Sequence, residues 1–441
     1  MKEVELVTEK MVFEGKALAR MDRFVVFVEG ALPGERVRAV ITTKKRQFAA
    51  ARVVEILEPS PHRKESDCPL FGECGGCTFR HCDYAAQLQF KQEVFTESMH
   101  GVQGVPERVQ PILGMEPPAF YRNKMIFTFG QQEGVPVIGL HRRNNFYHIV
   151  HTDNCLLQSP ESADIVRRTL EFVKSRQIPV FDERTKTGLL RTLMIREGKH
   201  TRQRLVQINA TDYPAGIEQL TDIYGDLCDT LIVGLDRRVS GPPRPVELKI
   251  LKGRGMIEEK LNGLTFEIRS ETFFQTNTIQ AERLFQELMK QVGTLRPKLA
   301  LDLYSGVGPI AMHLSPVAEQ VVGVESVDES VKAAEQNVAR NGLQNVKMIC
   351  AAVEKAGPDV LPSGADLVVV DPPRPGLHEK AVQKIVALAA ENLIYISCNP
   401  ATLARDLKLF TSSGYEVMHI QPIDMFPHTF HIEALTVLKK R

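Results

Sequence analysis

From about residue 271 the chain alternates runs that read as strands with runs that read as helices. Strand-like runs cover 299–303, 320–325, 346–350, 367–371 and 393–398. Helical patterns follow Gly308 and cover 328–341 and 378–391. Strands separated by helices must pair in parallel through crossovers, so this half of the chain is expected to form a doubly wound parallel sheet. Such sheets bind ligands at the carboxyl ends of their strands. The residues just beyond each strand are therefore the first place to look for chemistry.

The first of these strands runs into Asp302-Leu303-Tyr304-Ser305-Gly306-Val307-Gly308-Pro309-Ile310-Ala311. Gly306 and Gly308 let the backbone approach a ligand closely, and Ala311 is small enough for tight helix packing. Glu325 ends the next strand, where a carboxylate can accept hydrogen bonds from both ribose hydroxyls. This pattern alone also suits NAD. Three details favour S-adenosylmethionine. Asp302 precedes the loop, and Pro309 at the helix start has no N–H to offer a phosphate. Asp371-Pro372-Pro373-Arg374 caps a later strand at the ligand edge.

Cys398 lies in Ser397-Cys398-Asn399-Pro400, too polar a setting for a core cysteine. It is expected to end a strand and precede a helix from about Thr402, whose N-terminus would lower the thiol pKa. A thiolate there can add to C6 of a uracil ring and make C5 nucleophilic towards a methylsulfonium. A base must then take the C5 proton. Glu433 leads for that role, because an acid between Ile432 and Ala434 is expected to be buried and its pKa raised. His428 and His431 are rival bases.

Cys68, Cys74 and Cys77 form a second cluster around Gly75-Gly76, with Cys82, His81 or the distant Cys155 as a fourth ligand. Sulfur ligands suit zinc or an iron–sulfur cluster, and spacing alone does not decide. Cys228 and Cys350 read as core residues. The N-terminus has no apolar targeting core, and no run approaches the roughly 18 apolar residues of a membrane span. A soluble, cytoplasmic protein without a membrane partner is expected, so the eight cysteines are not a disulfide framework.

Residues 1–58 read as short strands with Gly/Pro turns, which suggests a small β-barrel. Net charge is only +1, so no bulk field announces nucleic acid. The charge is uneven, however. Residues 1–64 hold 13 Lys/Arg against 9 Asp/Glu, and 184–204 hold Arg184, Lys186, Arg191, Arg196, Lys199, Arg202 and Arg204. These stretches are candidate polyanion patches or plain solvated surface.

Together these residues resemble the RNA 5-methyluridine methyltransferase family, and most of all its 23S rRNA (uracil-5-)-methyltransferases with an N-terminal TRAM domain and a [4Fe–4S] cluster. The resemblance rests on Cys68/Cys74/Cys77 with Cys155, Phe274-Gln275-Thr276-Asn277, the 302–308 loop, Asp371-Pro372-Pro373-Arg374, the segment 397–402 and the segment ending at Glu433. It implies that Cys68, Cys74, Cys77 and Cys155 hold the cluster and leave Cys82 free. It implies that Gln275, Tyr304, Glu325 and Asp371 contact S-adenosylmethionine, that Cys398 is the nucleophile and that Glu433 is the proton acceptor. The Arg122-Asn123-Lys124 segment would help grip RNA.

The expected architecture is multidomain: an OB-like TRAM barrel over 1–60, a central α+β region with the cysteine loop over 61–270, and a Rossmann-like α/β methyltransferase over 271–441. A helix near 84–110 is expected to pack on the catalytic domain, in a monomer that acts in rRNA processing. Three departures from relatives stand out: Pro309 where some carry asparagine, Ala351-Ala352 where some contact the donor with an asparagine, and Met21-Asp22-Arg23 where relatives often carry a glycine turn. Rival readings are the same reaction on the tRNA T-loop, a non-catalytic RNA-binding assembly factor, and a methyltransferase of amino groups that needs no thiol.

Overall fold

The computed structural model describes residues 2–238, 241 and 244–441. Its N-terminal unit is a closed five-stranded barrel of β1 (Glu3–Val12), β2 (Lys16–Met21), β3 (Phe24–Glu29), β4 (Arg36–Lys44) and β5 (Phe48–Glu58), in the order β1-β2-β3-β5-β4. Alternation turns Val26, Val28, Val37, Ala39, Ala49 and Ala51 inward, and the alanines let so narrow a barrel close. Closure also removes exposed strand edges. The turn without glycine forms all the same. Asp22 takes φ 55°, a left-handed conformation that aspartate tolerates better than most residues.

The chain then passes through the cysteine loop into α1 (Tyr84–Met99), whose N-terminus is capped by Asp83 accepting from Ala86 N at 2.8 Å. Helix α1 buries Phe90, Val94, Phe95 and Met99 in one core with Leu403, Leu407 and Phe410 of the catalytic domain. The central sheet follows. It contains β6 (Lys124–Gln132), β7 (Val135–Arg142), β8 (Asn145–His151), β9 (Leu190–Glu197), β10 (Arg204–Ala210), β11 (Thr230–Leu235) and β12 (Glu247–Lys252), in the order β12-β11-β10-β9-β6-β7-β8. Helices α2 (Pro160–Ser175) and α3 (Leu220–Tyr224) cover one face, burying Met125, Phe127 and Phe129 of β6.

A hairpin of β13 (Met256–Leu261) and β14 (Leu264–Arg269) precedes α4 (Thr278–Val292). Ile257, Leu261, Phe266 and Ile268 of this hairpin join the catalytic core together with Leu284, Phe285 and Leu288 of α4. The catalytic domain continues with β15 (Leu299–Leu303), α5 (Pro309–Leu314), β16 (Gln320–Glu325), α6 (Asp328–Arg340), β17 (Val346–Cys350), β18 (Leu367–Val370), α7 (Glu379–Leu388), β19 (Asn392–Ser397), α8 (Pro400–Ser412), β20 (Tyr415–Ile423) and β21 (Glu433–Lys440). The strand order is β17-β16-β15-β18-β19-β21-β20, parallel through β19 and antiparallel beyond. Order reverses between β15 and β18, which makes their carboxyl ends the switch-point crevice. Helix α8 starts at Pro400, not near Thr402. Asn399 caps it by accepting from Ala401 N at 3.0 Å, and a proline is well suited to the first helical position.

Among the described residues, no helix is long and apolar enough to cross a membrane.

Candidate functional site

The carboxyl edge of the sheet gathers side chains that lie far apart in sequence. Leu303 pairs with Val324 on one side and Val370 on the other, so Tyr304, Glu325 and Asp371 step off adjacent strand ends together. The antiparallel register of β19 and β21 pairs Ser397 with Ala434. One step further along that register, Cys398 stands opposite Glu433, and directly opposed residues project to the same side.

Gly308 caps α5 at φ 86°, and Gly306 takes φ 54° with open space where a Cβ would sit. The loop therefore leaves the crevice free. Pro309 occupies the first turn of α5. The Glu325 carboxylate accepts from Gly306 N at 3.0 Å, Ser326 N at 2.7 Å and Val327 N at 2.9 Å. Ser326 Oγ also donates to Oε1 at 3.2 Å, so the carboxylate is fixed in place and Oε2, with a single bond, keeps room for a further donor. Asp302 turns away from the crevice. Its Oδ2 accepts from Ala311 N at 2.9 Å, its Oδ1 has no partner, and burial raises its pKa well above the carboxylate range. Tyr304 holds φ 66° and donates its hydroxyl to Glu354 at 2.9 Å. Gln275 donates to Asp371 at 3.3 Å. Gln275 is itself held by Asn123, whose side-chain amide donates to the Gln275 carbonyl at 2.8 Å.

Burial lifts Asp371 to about 7 and pushes Glu433 well above its usual value, with the charge of Asp371 adding to the shift on Glu433 and Arg374 opposing it. The expectation of a helix-activated thiol does not hold. Burial, then the charges of Glu433 and Asp371, push Cys398 up to about 12, and Arg374 only partly offsets them. Arg374 is therefore a site residue that the sequence reading did not single out. The 397–402 turn is clasped to the 371–376 loop, because Thr402 Oγ1 and Asn399 Nδ2 both donate to the Arg374 carbonyl at 3.5 and 3.4 Å.

The two rival bases separate on geometry. His428 is 5% exposed, with one ring nitrogen 3.3 Å from the Gln87 amide and the other 2.8 Å from the Pro118 carbonyl. Both of its nitrogens serve the fold. His431 lies 3.4 Å from Arg374, nearer the crevice. Burial lowers both imidazoles to about 4, so they stay neutral at physiological pH.

Helix α1 and the cysteine loop brace the segment 424–432 that leads to Glu433. Lys91, buried, donates to Asp424 at 2.5 Å and to the Phe426 carbonyl at 3.1 Å. Tyr84 donates to the other Asp424 oxygen at 2.9 Å. Thr78 N and Phe79 N both donate to the His428 carbonyl, at 2.7 and 3.0 Å. A lysine on a helix 333 residues before its partner gives no local signal, so sequence reasoning missed this brace.

Cys68, Cys74, Cys77 and Cys155 line one small cavity with Leu70, Leu140 and Leu156. Burial raises the thiols of Cys74 and Cys155, and lifts Cys77 to about 11. Gly76 N donates to Cys74 Sγ at 3.4 Å, and a Cβ on Gly75 would meet the His141 carbonyl at 3.2 Å. Among the described residues, no group of three or more His, Cys, Asp or Glu side chains is arranged to hold a single metal ion. Cys82 is fully buried with its thiol directed at the Asp83 carbonyl, and His81 stacks on Phe71 at 5.0 Å. Cys228 is core, as expected. Cys350 is not: it ends an edge strand and is exposed.

The run 184–204, a candidate patch or solvated surface, does not form one exposed surface. Arg191 and Arg196 are buried at 3% and 2% exposure. Arg191 pairs with Glu183 and Asp236, and Arg196 donates to the carbonyls of Ser270 and Thr272. A different groove of about 720 Å³ opens where barrel, cysteine loop, central sheet and catalytic segment meet. It is lined by Lys16, Arg122, Lys124, Arg142, Arg143 and Phe430. The buried Nε atoms of Arg122 and Arg143 have no partner there, and burial lowers Lys124 to about 8. Asn123, between Arg122 and Lys124, is buried and serves the Gln275 turn instead.

Comparison with known proteins is consistent across the whole chain. The profile of the tRNA (uracil-5-)-methyltransferase family matches residues 242–360 and 362–441, and that of the TRAM domain matches 3–54. An uncharacterised RNA methyltransferase of Caldanaerobacter subterraneus is 36% identical over 99% of both chains. One from Clostridium tetani is 33% identical over 100% of this chain and 98% of its own. The crystal structure of the Pyrococcus abyssi tRNA (uracil-54, C5)-methyltransferase with S-adenosyl-L-homocysteine superposes with a TM-score of 0.80 at 25% identity, covering 99% of this chain and all of that one.

Proposed function

The chain belongs to the tRNA (uracil-5-)-methyltransferase family, enzymes that methylate C5 of uracil in RNA, and from that premise we propose a covalent mechanism with named roles. S-adenosylmethionine is the methyl donor, held at the switch point by Gln275, Tyr304, Glu325 and Asp371. The observation that carries this reading is the placement of Cys398 opposite Glu433, beside Asp371, at one sheet edge.

The Cys398 sulfur bonds to C6 of the uracil, and the C5–C6 π electrons move onto C5 and the O4 carbonyl. C5 then takes the methyl group, releasing S-adenosylhomocysteine. Glu433 removes the C5 proton, the electron pair of that C–H bond restores C5=C6, and the thiolate leaves. Arg374, the cation already facing Cys398 and Glu433, offsets the negative charge of thiolate and carboxylate. RNA carrying 5-fluorouridine tests the scheme, since fluorine at C5 cannot leave as a cation and the adduct persists. A denaturant-stable protein–RNA band is expected, and its absence sinks the covalent route.

Glu433→Gln is expected to slow turnover roughly 10²–10⁴-fold and to accumulate methylated, covalently bound RNA on the ordinary substrate. Free thiol and free RNA only would reject Glu433 as the base. The pH dependence follows from the raised pKa values. Cys398 must lose a proton, and Glu433 must be ionised to accept one, while burial favours the protonated form of both. The single-turnover rate therefore climbs as pH rises from 6 towards 9, with a slope no steeper than about one decade per unit for each group. A rate that falls over that window contradicts the assignment.

The four cysteines suit a [4Fe–4S] cluster on one ground: Cys68, Cys74, Cys77 and Cys155 line one small, mostly apolar cavity, and sulfur ligands are what such a cluster takes. Cys68, Cys74, Cys77 and Cys155 would hold it, and it would supply a rigid cross-link between the loop and the central sheet. Anaerobically purified protein should absorb in the visible, and Cys155→Ser should bleach it. A colourless wild-type protein with stoichiometric zinc overturns the cluster.

For substrate, 23S rRNA is our first reading, with the barrel and the basic groove gripping an exposed loop around a flipped uridine. The tRNA T-loop is the second, favoured by the neighbour that acts on uracil-54 of tRNA. Mapping 5-methyluridine in rRNA and tRNA from a deletion strain decides between them.

A further inference from the structure

We propose that the face of the central sheet left open among the described residues is a second RNA-docking subsite, which stacks an unpaired nucleobase of the strand that carries the target uridine; this rests on the function proposed above. Strand β6 buries Met125, Phe127 and Phe129 beneath α2 and turns Ile126 and Thr128 to the other side. There a groove of about 870 Å³ opens, floored by Ile126, Thr128 and Thr192. Its walls are the start of β8 and the loop 182–186.

The rim carries two neighbouring aromatics pointed at solvent, Phe146 at 60% exposure and Tyr147 at 58%. Phe146 is stiffened by stacking on His141, with ring centroids 4.4 Å apart and planes 12° apart. Tyr147 carries the Arg184 guanidinium 5.2 Å from its ring. A fixed aromatic plane with a cation at its edge matches a nucleobase and its phosphate.

The acids of the groove do not oppose this. Glu183 is shared by Lys186 at 2.7 Å and Arg191 at 3.1 Å. Asp182 accepts from the backbone N–H groups of Arg184 and Thr185 at 2.6 and 3.3 Å. Among the described residues, Arg184 makes no ion pair, so its charge remains available. The groove is also continuous with the basic one, since Ile126 and His141 line both. One strand can therefore run from this face, past Arg122 and Lys124, to Phe430, whose ring packs on His431 beside Arg374. Sheet faces with exposed aromatics bind single-stranded RNA in this way, because every base has a π-face.

The test uses the full-length protein and a short single-stranded oligouridylate bearing one 4-thiouridine. Tyr147→Ala and Phe146→Ala should each weaken binding roughly tenfold, while Tyr147→Phe, which keeps the ring, binds as wild type. Arg184→Glu should weaken binding and flatten its salt dependence. Photo-cross-links should fall in residues 145–149 and vanish in Tyr147→Ala. The thermal midpoint of each variant should match wild type, because these side chains are exposed. Wild-type affinity in both alanine variants, or cross-links confined to the basic groove, overturns the subsite. The 5-fluorouridine adduct separates the two levels. If wild type forms it while Tyr147→Ala binds normally, only the docking subsite fails. If binding depends on Tyr147 but no adduct forms, the covalent function fails and the subsite stands.

Discussion

Replacing Cys398 with alanine is expected to cut methyl transfer by roughly 10⁴-fold or more and to abolish the RNA adduct, with little change in stability. The size follows from the chemistry. In the proposed route C5 of uracil becomes electron-rich enough to attack a sulfonium only through the covalent bond at C6, so losing the thiol removes that step. The small structural effect follows from the environment. The thiol is only partly buried, and the surrounding turn is held by Asn399, Ser397 and Thr402 through bonds that do not use sulfur. S-adenosylmethionine affinity, read by calorimetry, should stay within a few-fold of wild type. Residual turnover near the wild-type rate would mean that the ring is activated by some other group.

The second large effect lies away from the chemistry. Lys91→Met should lower the unfolding free energy by about 3–5 kcal/mol, because it strands the Asp424 carboxylate in a site from which water is excluded. Burial already works against the charged form of Lys91, and its attraction to Asp424 is what offsets that cost. The double variant Lys91→Met/Asp424→Asn should recover most of the loss, since no charge is then left unpaired. Urea unfolding of the three variants measures the coupling. A loss below about 1 kcal/mol in the single variant would show that water reaches the pair. Because Asp424 opens the segment leading to Glu433, the single variant should also lose activity at temperatures where it is still folded.

Much of the catalytic half was legible because it is written in local patterns. The strand–glycine turn–helix at 299–314, the acid at Glu325 and the Cys398 turn announce themselves within a few residues. The boundary error at α8 has the same origin in reverse, since an asparagine cap followed by proline is a helix start that the reading placed two residues late. Charge was read less well. The run 184–204 counts seven cations in sequence, but β9 lies mid-sheet with every residue buried, and Asp236, Glu183 and two carbonyls turn Arg191 and Arg196 into internal ties. Cys350 was misjudged because a strand at the sheet edge exposes what a central strand would bury.

Sequence by itself determined which side chains can perform chemistry here, because thiols, carboxylates and glycine turns keep their character wherever they sit. It also determined the order of strands and helices, since periodicity and turn residues act over a few positions. Only the tertiary structure decided which of those groups meet. The approach of Cys398 to Glu433 depends on the β19–β21 register, which pairs their neighbours Ser397 and Ala434, the brace from Lys91 on a helix from the far end of the chain, and the cost of ionising the thiol on how much water the fold excludes. Register, long-range contact and solvent exclusion are properties of the packed whole, and no local stretch of residues carries them.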